Sequence, residues 1–277
     1  MFEKALIMYI YAETPIHPGS GSVISRAVDL PIQRERHTEF PIIQGSSLKG
    51  VLRNFACWVE IDEKCKQCNK NPETAEKCEK IRKIFGSPEG VGGISITDAK
   101  ILAFPVRTLK GVFRWITCPL VLDRYRRDLK LVGVQVKWDI PKPKSDEEAK
   151  IHKNSNLAEQ YIYIEELQLK CSEDENVNKI AKDIKKGLPK DNAYKEIKEK
   201  LEKDLVIVSD DVFRNLVTLT TEIFTRIKID PSTGTVEKGG LWSEEYLPTD
   251  TLMYSLILIP SKLNNIELKE IKERIMN

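Results

Sequence analysis

The chain has 277 residues, of which 41% are apolar and 31% charged, and its formal net charge is +2. That length holds one large domain or two small ones, no apolar run is long enough to span a membrane, and Met1-Phe2-Glu3-Lys4 lacks the basic opening and cleavage site of a secretory leader, so a cytoplasmic protein is expected. A charge so near zero excludes a general basic field, and any nucleic-acid surface has to be a local basic patch offset by acidic segments elsewhere.

Residues 5–11 read as a buried strand, and Thr14-Pro15-Ile16-His17-Pro18-Gly19-Ser20-Gly21-Ser22 as a loop of turn-formers. Val28-Asp29-Leu30-Pro31-Ile32 is extended, with a proline that excludes a central strand. Arg34 and Arg36 alternate on an extended segment, so both point to one face, either toward phosphate or as a solvated strand edge. Phe40-Pro41-Ile42-Ile43 then leads into Gly45-Ser46-Ser47-Leu48-Lys49-Gly50-Val51-Leu52-Arg53. Gly45 permits a sharp turn, Ser46 and Ser47 are natural N-cap residues, and the free N–H groups of a first helical turn attract phosphate. Lys49 and Arg53, four apart, add positive charge to one face. The stretch reads equally as a phosphate-backbone site and as an ordinary capped helix running from about residue 47 past Trp58.

Residues 62–83 form a charged, cysteine-bearing insertion. Cys65-Lys66-Gln67-Cys68 has the spacing of a zinc knuckle, with Cys57 before it and Cys78 after it. Such thiolates can hold Zn²⁺ tetrahedrally and give a segment poor in apolar residues a reason to fold. A disulfide or free thiols are the alternatives, and Cys57 also fits the core face of the preceding helix. Cys118 and Cys171 read as structural. Gly90-Val91-Gly92-Gly93 marks a loop and residues 94–104 a strand. Leu109-Lys110-Gly111-Val112-Phe113-Arg114 repeats the pattern of Leu48-Lys49-Gly50-Val51-Leu52-Arg53, which predicts a second basic helix start carrying Lys110. Ile140-Pro141-Lys142-Pro143-Lys144-Ser145-Asp146 is a boundary, residues 177–203 carry a helical period broken near Gly187-Leu188-Pro189, and residues 205–208 read as a strand entering a core. Residues 222–247 read as a long hairpin around Asp230-Pro231-Ser232-Thr233-Gly234. In it Ile223, Thr225, Ile227 and Ile229 alternate with Phe224, Arg226, Lys228 and Asp230. Apolar residues on both faces fit either a wedge buried on assembly or an edge hairpin of the sheet. Residues 252–259 form a last buried strand, followed by a helix rich in Lys and Glu.

Several of these stretches, in their order and spacing, resemble the RAMP superfamily of CRISPR proteins, specifically the repeated backbone subunit of the Cmr (type III-B) effector complex. They are Thr14-Pro15-Ile16-His17-Pro18-Gly19-Ser20-Gly21, Val28-Asp29-Leu30-Pro31-Ile32-Gln33-Arg34-Glu35-Arg36, the 45–53 segment, Phe104-Pro105-Val106-Arg107 through Asp128, Thr225-Arg226-Ile227, and Gly239-Gly240-Leu241-Trp242-Ser243-Glu244-Glu245-Tyr246-Leu247-Pro248. The resemblance implies an α+β fold, a ferredoxin-like palm related to the RRM with helical insertions and a protruding thumb β-hairpin. One RAMP domain would span 1–277, its palm built from about 1–56, 90–140 and 205–277. The cysteine-bearing insertion would cover about 57–89, a helical insertion about 141–204, and the thumb about 222–248. Family members usually end in a glycine-rich GxGxxxxG loop and a final strand; this sequence reaches Asn277 without one, which reads as truncation.

The resemblance further implies copies stacked in a helical filament along a guide (CRISPR) RNA, together with other Cmr subunits and no membrane. Each thumb would wedge into the duplex of guide and complementary target RNA, which is cleaved at regular intervals. It points to Asp29 as the catalytic residue, on the loop after the first strand. Cleavage needs the ribose 2′-OH to attack its own phosphate in line, and a carboxylate can hold Mg²⁺ or Mn²⁺ or help remove the 2′-proton. From the residues alone, Asp29 reads first as a cap of the turn before Pro31. His17, one of 3 histidines, can donate to phosphate, act as acid or base, or simply bond loop carbonyls. Glu244 and Tyr246 flank the thumb's end, where similar positions lie near the target strand; packing and solvated charge are the alternative. Ser46, Ser47, Lys49, Arg53, Arg34, Arg36, Lys110 and Arg226 are the expected RNA contacts. Two other functions stay open: a purely structural RNA-binding backbone, and a metal-independent guide-processing nuclease centred on His17. Base pairing with the guide, not the protein, would choose the target.

Overall fold

The computed structural model of the chain describes residues 2–21, 28–61, 72–87, 90–153, 155 and 160–260. In chain order its elements are β1 (Phe2–Tyr11), β2 (Ile42–Ile43), α1 (Gly45–Ile61), α2 (Pro72–Phe85), β3 (Ser95–Ile96), β4 (Ala99–Arg107), β5 (Phe113–Thr117) and α3 (Pro119–Leu131). They continue with β6 (Glu148–Ile151), β7 (Tyr161–Ile164), β8 (Leu167–Glu173), α4 (Glu175–Ile184), 3₁₀ turns at Lys185–Gly187 and Asn192–Tyr194, and α5 (Lys195–Asp204). The last are β9 (Leu205–Ile207), α6 (Asp210–Leu219), β10 (Glu222–Ile229), β11 (Val236–Tyr246) and β12 (Leu252–Pro260). The chain divides into two units, the smaller comprising Met1–Met8, Ile43–Ala99 and Ser255–Asn277, the larger Tyr9–Ile42 and Lys100–Tyr254. Among the described residues no helix is long and apolar enough to cross a membrane.

In the larger unit the strands lie in the order β12-β4-β5-β9-β6-β8-β7. The sheet is mixed: β5 and β9 are parallel, as are β6 and β8, and the other pairs are antiparallel. β4 and β5 are apolar almost throughout, as strands covered on both faces have to be, and they bury Phe104 and Trp115. Helix α3 begins after Cys118, with Pro119 where its missing N–H has no partner to lose. It buries Val121, Leu122, Tyr125 and Leu129, the stripe expected of a helix against a sheet. Asp128, on the same face, is buried but paired: Lys100 Nζ lies 2.7 Å and the Tyr254 hydroxyl 3.1 Å from Oδ2. Helix α6 opens on Ser209, whose Oγ accepts the Val212 N–H at 3.2 Å. It buries Val212, Phe213, Leu216 and Val217. Strands β10 and β11 form a separate two-stranded sheet, with Glu222 opposite Tyr246 and Arg226 opposite Trp242. Ile223, Phe224, Ile227, Ile229, Val236 and Leu241 are exposed on it, so the long hairpin read from the sequence exists and carries apolar residues into solvent.

Two expectations are corrected here. The segment read as a helical insertion, about 141–204, carries β6, β7 and β8 as well as α4 and α5, and these strands extend the main sheet. The 109–114 repeat is not a helix start. It is the tight turn between β4 and β5, with φ of +85° at Gly111 and +69° at Val112. The β-prone run Phe113-Arg114-Trp115-Ile116-Thr117 pulls its second half into a strand. There Arg114 is buried and its Nη1 donates to Asp204 at 2.7 Å.

In the smaller unit, Ile96 and Ser95 of β3 pair with Ile257 and Leu258 of β12. Helices α1 and α2 pack over a core of Cys57, Ile81, Ile84, Phe85, Ile94, Ile257 and Ile259. The strand expected over 94–104 is broken at Thr97-Asp98. That break has a purpose, because the Asp98 carboxylate accepts the Gly45 N–H at 2.8 Å and so caps α1. A Cβ on Gly45 would lie 2.2 Å from the Ile96 carbonyl oxygen, so only glycine fits there. The Lys- and Glu-rich segment 261–277 lies outside the described residues.

Candidate active site

The base of the β10–β11 hairpin gathers residues that are far apart in the chain. Strand β11 alternates its side chains, so Ser243 and Glu245 share one face, and Trp242, Glu244 and Tyr246 the other. Residues 28–32 run beside the strand: the Leu30 N–H donates to the Ser243 carbonyl, and the Glu245 N–H to the Leu30 carbonyl, each at 3.0 Å. Asp29 is exposed, and its Oδ2 accepts both the Ser243 N–H at 2.8 Å and the Ser243 hydroxyl at 2.9 Å. The Asp29 N–H returns a bond to Ser243 Oγ at 3.0 Å. The bonds from the Ser243 backbone and hydroxyl hold the Asp29 carboxyl below the ordinary aspartate range, so it is ionised at neutral pH.

The 14–22 loop reaches the same place. Ile16 and Leu247 exchange backbone bonds of 3.0 and 2.8 Å. His17 Nδ1 lies 2.6 Å from the Glu245 carbonyl oxygen. A carbonyl only accepts, so Nδ1 carries the proton and Nε2 is the acceptor of the neutral ring. The imidazole centroid is 5.2 Å from that of Tyr246. Gly19 lies against the ring, since a Cβ there would be 2.7 Å from His17 Nε2.

Glu244 is the centre of a polar knot. Its Oε1 accepts Trp242 Nε1–H at 2.8 Å, and its Oε2 accepts the Tyr246 hydroxyl and Arg226 Nε–H at 2.5 and 3.1 Å. Those bonds, the Tyr246 one first, hold the Glu244 carboxyl down to about 2. Arg226 also donates to the Tyr246 hydroxyl at 3.0 Å and lies 5.8 Å from the ring centroids of both Phe224 and Tyr246. Glu244 and Tyr246 are therefore bonded to each other, and Arg226 is turned onto them.

The expected RNA contacts divide. Arg34 is overturned as a phosphate ligand, because its side chain is 4% exposed and consumed inside the protein. It donates to Glu245 Oε1 at 2.5 Å, to the Glu39 carbonyl at 2.9 Å and to the Val217 carbonyl at 3.0 Å. Glu245 also accepts the Ile32 N–H at 2.9 Å and the Thr221 hydroxyl at 2.8 Å. Burial pushes its carboxyl up, but Arg34 and these donors more than offset that and hold it below the usual range. Arg36, two residues on, is exposed, as is Lys110 on the β4–β5 turn. In the smaller unit, Ser46 and Ser47 are exposed on the first turn of α1, and Arg53 is half-buried on the same helix. Lys49 donates to the Ile94 carbonyl at 2.7 Å, and burial lowers its pKa.

Cys57 and Cys78 are buried and disulfide-bonded. Neither carries a thiolate in that state, which corrects the proposed zinc site; Cys65 and Cys68 lie outside the described residues. Cys118 and Cys171 are not disulfide-bonded. No group of three or more His, Cys, Asp or Glu among the described residues is placed to hold a metal ion. Sequence reasoning missed Ser243, Glu245 and Trp242; their one signal was the period-two alternation through Trp242-Ser243-Glu244-Glu245-Tyr246.

Comparison with known proteins gives the family. The sequence profile of the RAMP superfamily matches residues 9–276. The CRISPR system Cmr endoribonuclease Cmr4 of Pyrococcus furiosus is 44% identical over 279 residues, a match covering 98% of this chain and 86% of that protein. The crystal structure of oligomeric Cmr4 from Pyrococcus furiosus superposes with a TM-score of 0.72 at 37% identity, covering 99% of this chain and 88% of that one. A cryo-EM structure of the type III-B Cmr-beta bound to cognate target RNA shares the fold, with a TM-score of 0.69 at 22% identity over 98% of this chain and 88% of that one. From its first strand to its last residues, the chain belongs to the RAMP superfamily.

Proposed function

We propose that this chain is a backbone subunit of a type III-B CRISPR effector complex, binding guide RNA and cleaving complementary target RNA at regular intervals with Asp29 and a divalent metal. The observation that carries the reading is the exposed, ionised Asp29 carboxylate fixed at the base of a protruding hairpin. In this reading the mixed sheet belongs to a ferredoxin-like palm, and β10–β11 is the thumb. The thumb's exposed Phe224, Ile227 and Leu241 support insertion into a duplex or against a neighbouring copy. The 44% identity to a protein named an endoribonuclease supports cleavage, and the similarity to an oligomeric Cmr4 supports stacking of copies and association with other Cmr subunits.

Cleavage joins a ribose 2′-oxygen to the adjacent phosphorus and expels the 5′-oxygen, so it needs in-line geometry, loss of the 2′-proton and relief of charge on the phosphate. A wedge that displaces a nucleotide frees it from the A-form geometry that forbids in-line attack. Asp29 supplies an anionic oxygen at that point. Its Oδ2 is committed to Ser243. Glu244 has both oxygens bonded and a cation beside it, so it serves to orient Tyr246 and Arg226 rather than to bind metal. A single available carboxylate fits Mg²⁺ or Mn²⁺ in the way such ions bind at phosphoryl sites, through one or two carboxylates with water and substrate phosphates completing the shell. When bound, the ion would neutralise charge on the phosphate. His17, with Nδ1 held by a carbonyl, offers Nε2 as a proton acceptor, which supports the metal-independent alternative.

The test assembles the full-length protein with guide RNA and partner subunits and supplies labelled complementary RNA with Mg²⁺. Regularly spaced products that vanish with Asp29→Ala, at unchanged RNA binding, are expected. Unchanged cleavage by Asp29→Ala moves the chemistry elsewhere. Cleavage that survives EDTA favours His17, and no cleavage by either form leaves an RNA-binding backbone.

A further inference from the structure

The most specific unexplained feature is how Asp29 is held. A carboxylate on a loop, exposed to water, ordinarily samples several rotamers. This one is gripped three times by a single residue that is 214 positions away in sequence. The Ser243 N–H and hydroxyl both donate to Oδ2, and the Ser243 Oγ accepts from the Asp29 N–H, which fixes the hydroxyl rotor as well. The backbone bonds on either side, Leu30 N–H to Ser243 carbonyl and Glu245 N–H to Leu30 carbonyl, keep the two segments in register. Both Ser243 donors go to the same oxygen, Oδ2.

Resting on the reading of Asp29 as the catalytic carboxylate, we infer that Ser243 is a positioning residue. It clamps Oδ2, presents Oδ1 to the RNA, and couples the position of the carboxylate to strand β11 of the hairpin. The consequence is mechanical as well as electrostatic. Any displacement of the hairpin base by the duplex carries Asp29 with it, so the wedge and the reacting group move together. Glu245, two residues on and on the same face, anchors the same stretch of loop through Ile32, which leaves Ser243 the task of orienting the carboxylate itself.

The experiment uses the assembled complex with guide RNA, and single-turnover cleavage of labelled target at saturating complex. Ser243→Ala is expected to slow cleavage by about tenfold to a hundredfold, the loss expected from misplacing a reacting group by roughly an ångström. Target affinity should change less than about twofold, since the hydroxyl is committed to Asp29. Ser243→Thr and Ser243→Val form the controlling pair. Both are β-branched and suit a strand, yet only Thr keeps the hydroxyl; Thr should cleave near the native rate and Val should fall with Ala.

Equal rates for Thr and Val would overturn the inference. If Asp29→Ala itself cleaves normally, the reading of the active site fails first. If Asp29→Ala is inactive while Ser243→Val is fully active, only the role of Ser243 fails.

Discussion

Arg34→Ala separates two roles that the sequence could not. The guanidinium lies among Glu245 Oε1, the Glu39 carbonyl and the Val217 carbonyl, and the two side chains of the ion pair are 4% and 8% exposed. Truncation leaves the Glu245 carboxylate with the Ile32 N–H and Thr221 hydroxyl but no cation, and it strips two carbonyls of their donor. Removing one partner of a buried pair costs about 3–5 kcal/mol. In a chain of this size each kcal/mol lowers Tm by roughly 2–4 °C, so a loss on the order of 10 °C is expected in calorimetry or a circular-dichroism melt. The pH dependence supplies a second check. In the native protein the Glu245 carboxyl lies below its unfolded value, so its contribution is present above that value and fades as pH falls through the folded pKa. Without Arg34, burial dominates and raises the folded pKa above the unfolded one, so the variant loses stability as pH rises through that interval. The gap in Tm between native protein and variant should therefore be wide at pH 7 and narrow near pH 4. A melt lowered by less than about 1 kcal/mol equivalent, or weakened RNA binding at unchanged Tm, would refute the assignment and return Arg34 to the RNA surface.

Arg36→Ala should do the opposite: Tm unchanged, RNA affinity lower, and the slope of log affinity against log salt reduced by about 1, as for one lost phosphate contact; an unchanged slope would remove Arg36 from the interface. Gly45→Ala should destabilise by roughly 1–3 kcal/mol, the ordinary cost of overpacking, because the new methyl would meet the Ile96 carbonyl oxygen at 2.2 Å; a melt equal to the native one would show that the turn can give. Tyr246→Phe should raise the Glu244 carboxyl from its value of about 2, since the Tyr246 hydroxyl is the foremost of the donors that lower it; a carboxyl ¹³C titration by NMR that does not move would contradict the knot. Reduction of the disulfide-bonded Cys57 and Cys78 should lower stability by about 2–4 kcal/mol, read as melts with and without reductant; stoichiometric zinc in natively purified protein, lost on Cys57→Ala, would instead restore the metal site.

How much of this was legible in the sequence depended on whether a signal was local. The hairpin was, because the β-prone run over residues 223–229 and the Asp230-Pro231-Ser232-Thr233-Gly234 turn are decided within a few residues. Helix α1 was, for the same reason. The β6–β8 strands were not: β8 is Leu-Gln-Leu-Lys-Cys-Ser-Glu, a polar run whose place is set by pairing with β6 and β7 and not by its own composition. The 48–53 and 109–114 repeat misled because similar short sequences take their structure from the residues downstream of them, a helical run in one case and a β-prone one in the other. Arg34 and Arg36 misled through a period that stops. Residues 36–38 form a turn, closed by the Glu39 N–H on the Glu35 carbonyl at 2.9 Å with φ of +62° at Glu39. The extended segment therefore ends between the two arginines. One faces in and the other out, although they are two apart.

The site itself was legible residue by residue but not as an arrangement, and strand β11 shows why. Asp29, Arg34 and His17 each look like an isolated loop residue until they meet residues more than 200 positions away. Ser243 and Glu245 on one face of β11 fasten the 28–34 segment, one through the carboxylate of Asp29 and the other through Ile32 and Arg34. Trp242, Glu244 and Tyr246 on the other face close a charged knot with Arg226 of β10. A shift of one residue in the β10–β11 register would exchange the faces. Glu244 would then turn toward the loop and Ser243 toward Arg226, and both the clamp and the knot would be lost together. The register between Glu222–Tyr246 and Ile227–Leu241 is thus what makes the site, and it is held from outside the hairpin by the buried Arg34–Glu245 pair. The stability of that pair and the placement of Asp29 are consequences of one strand alignment.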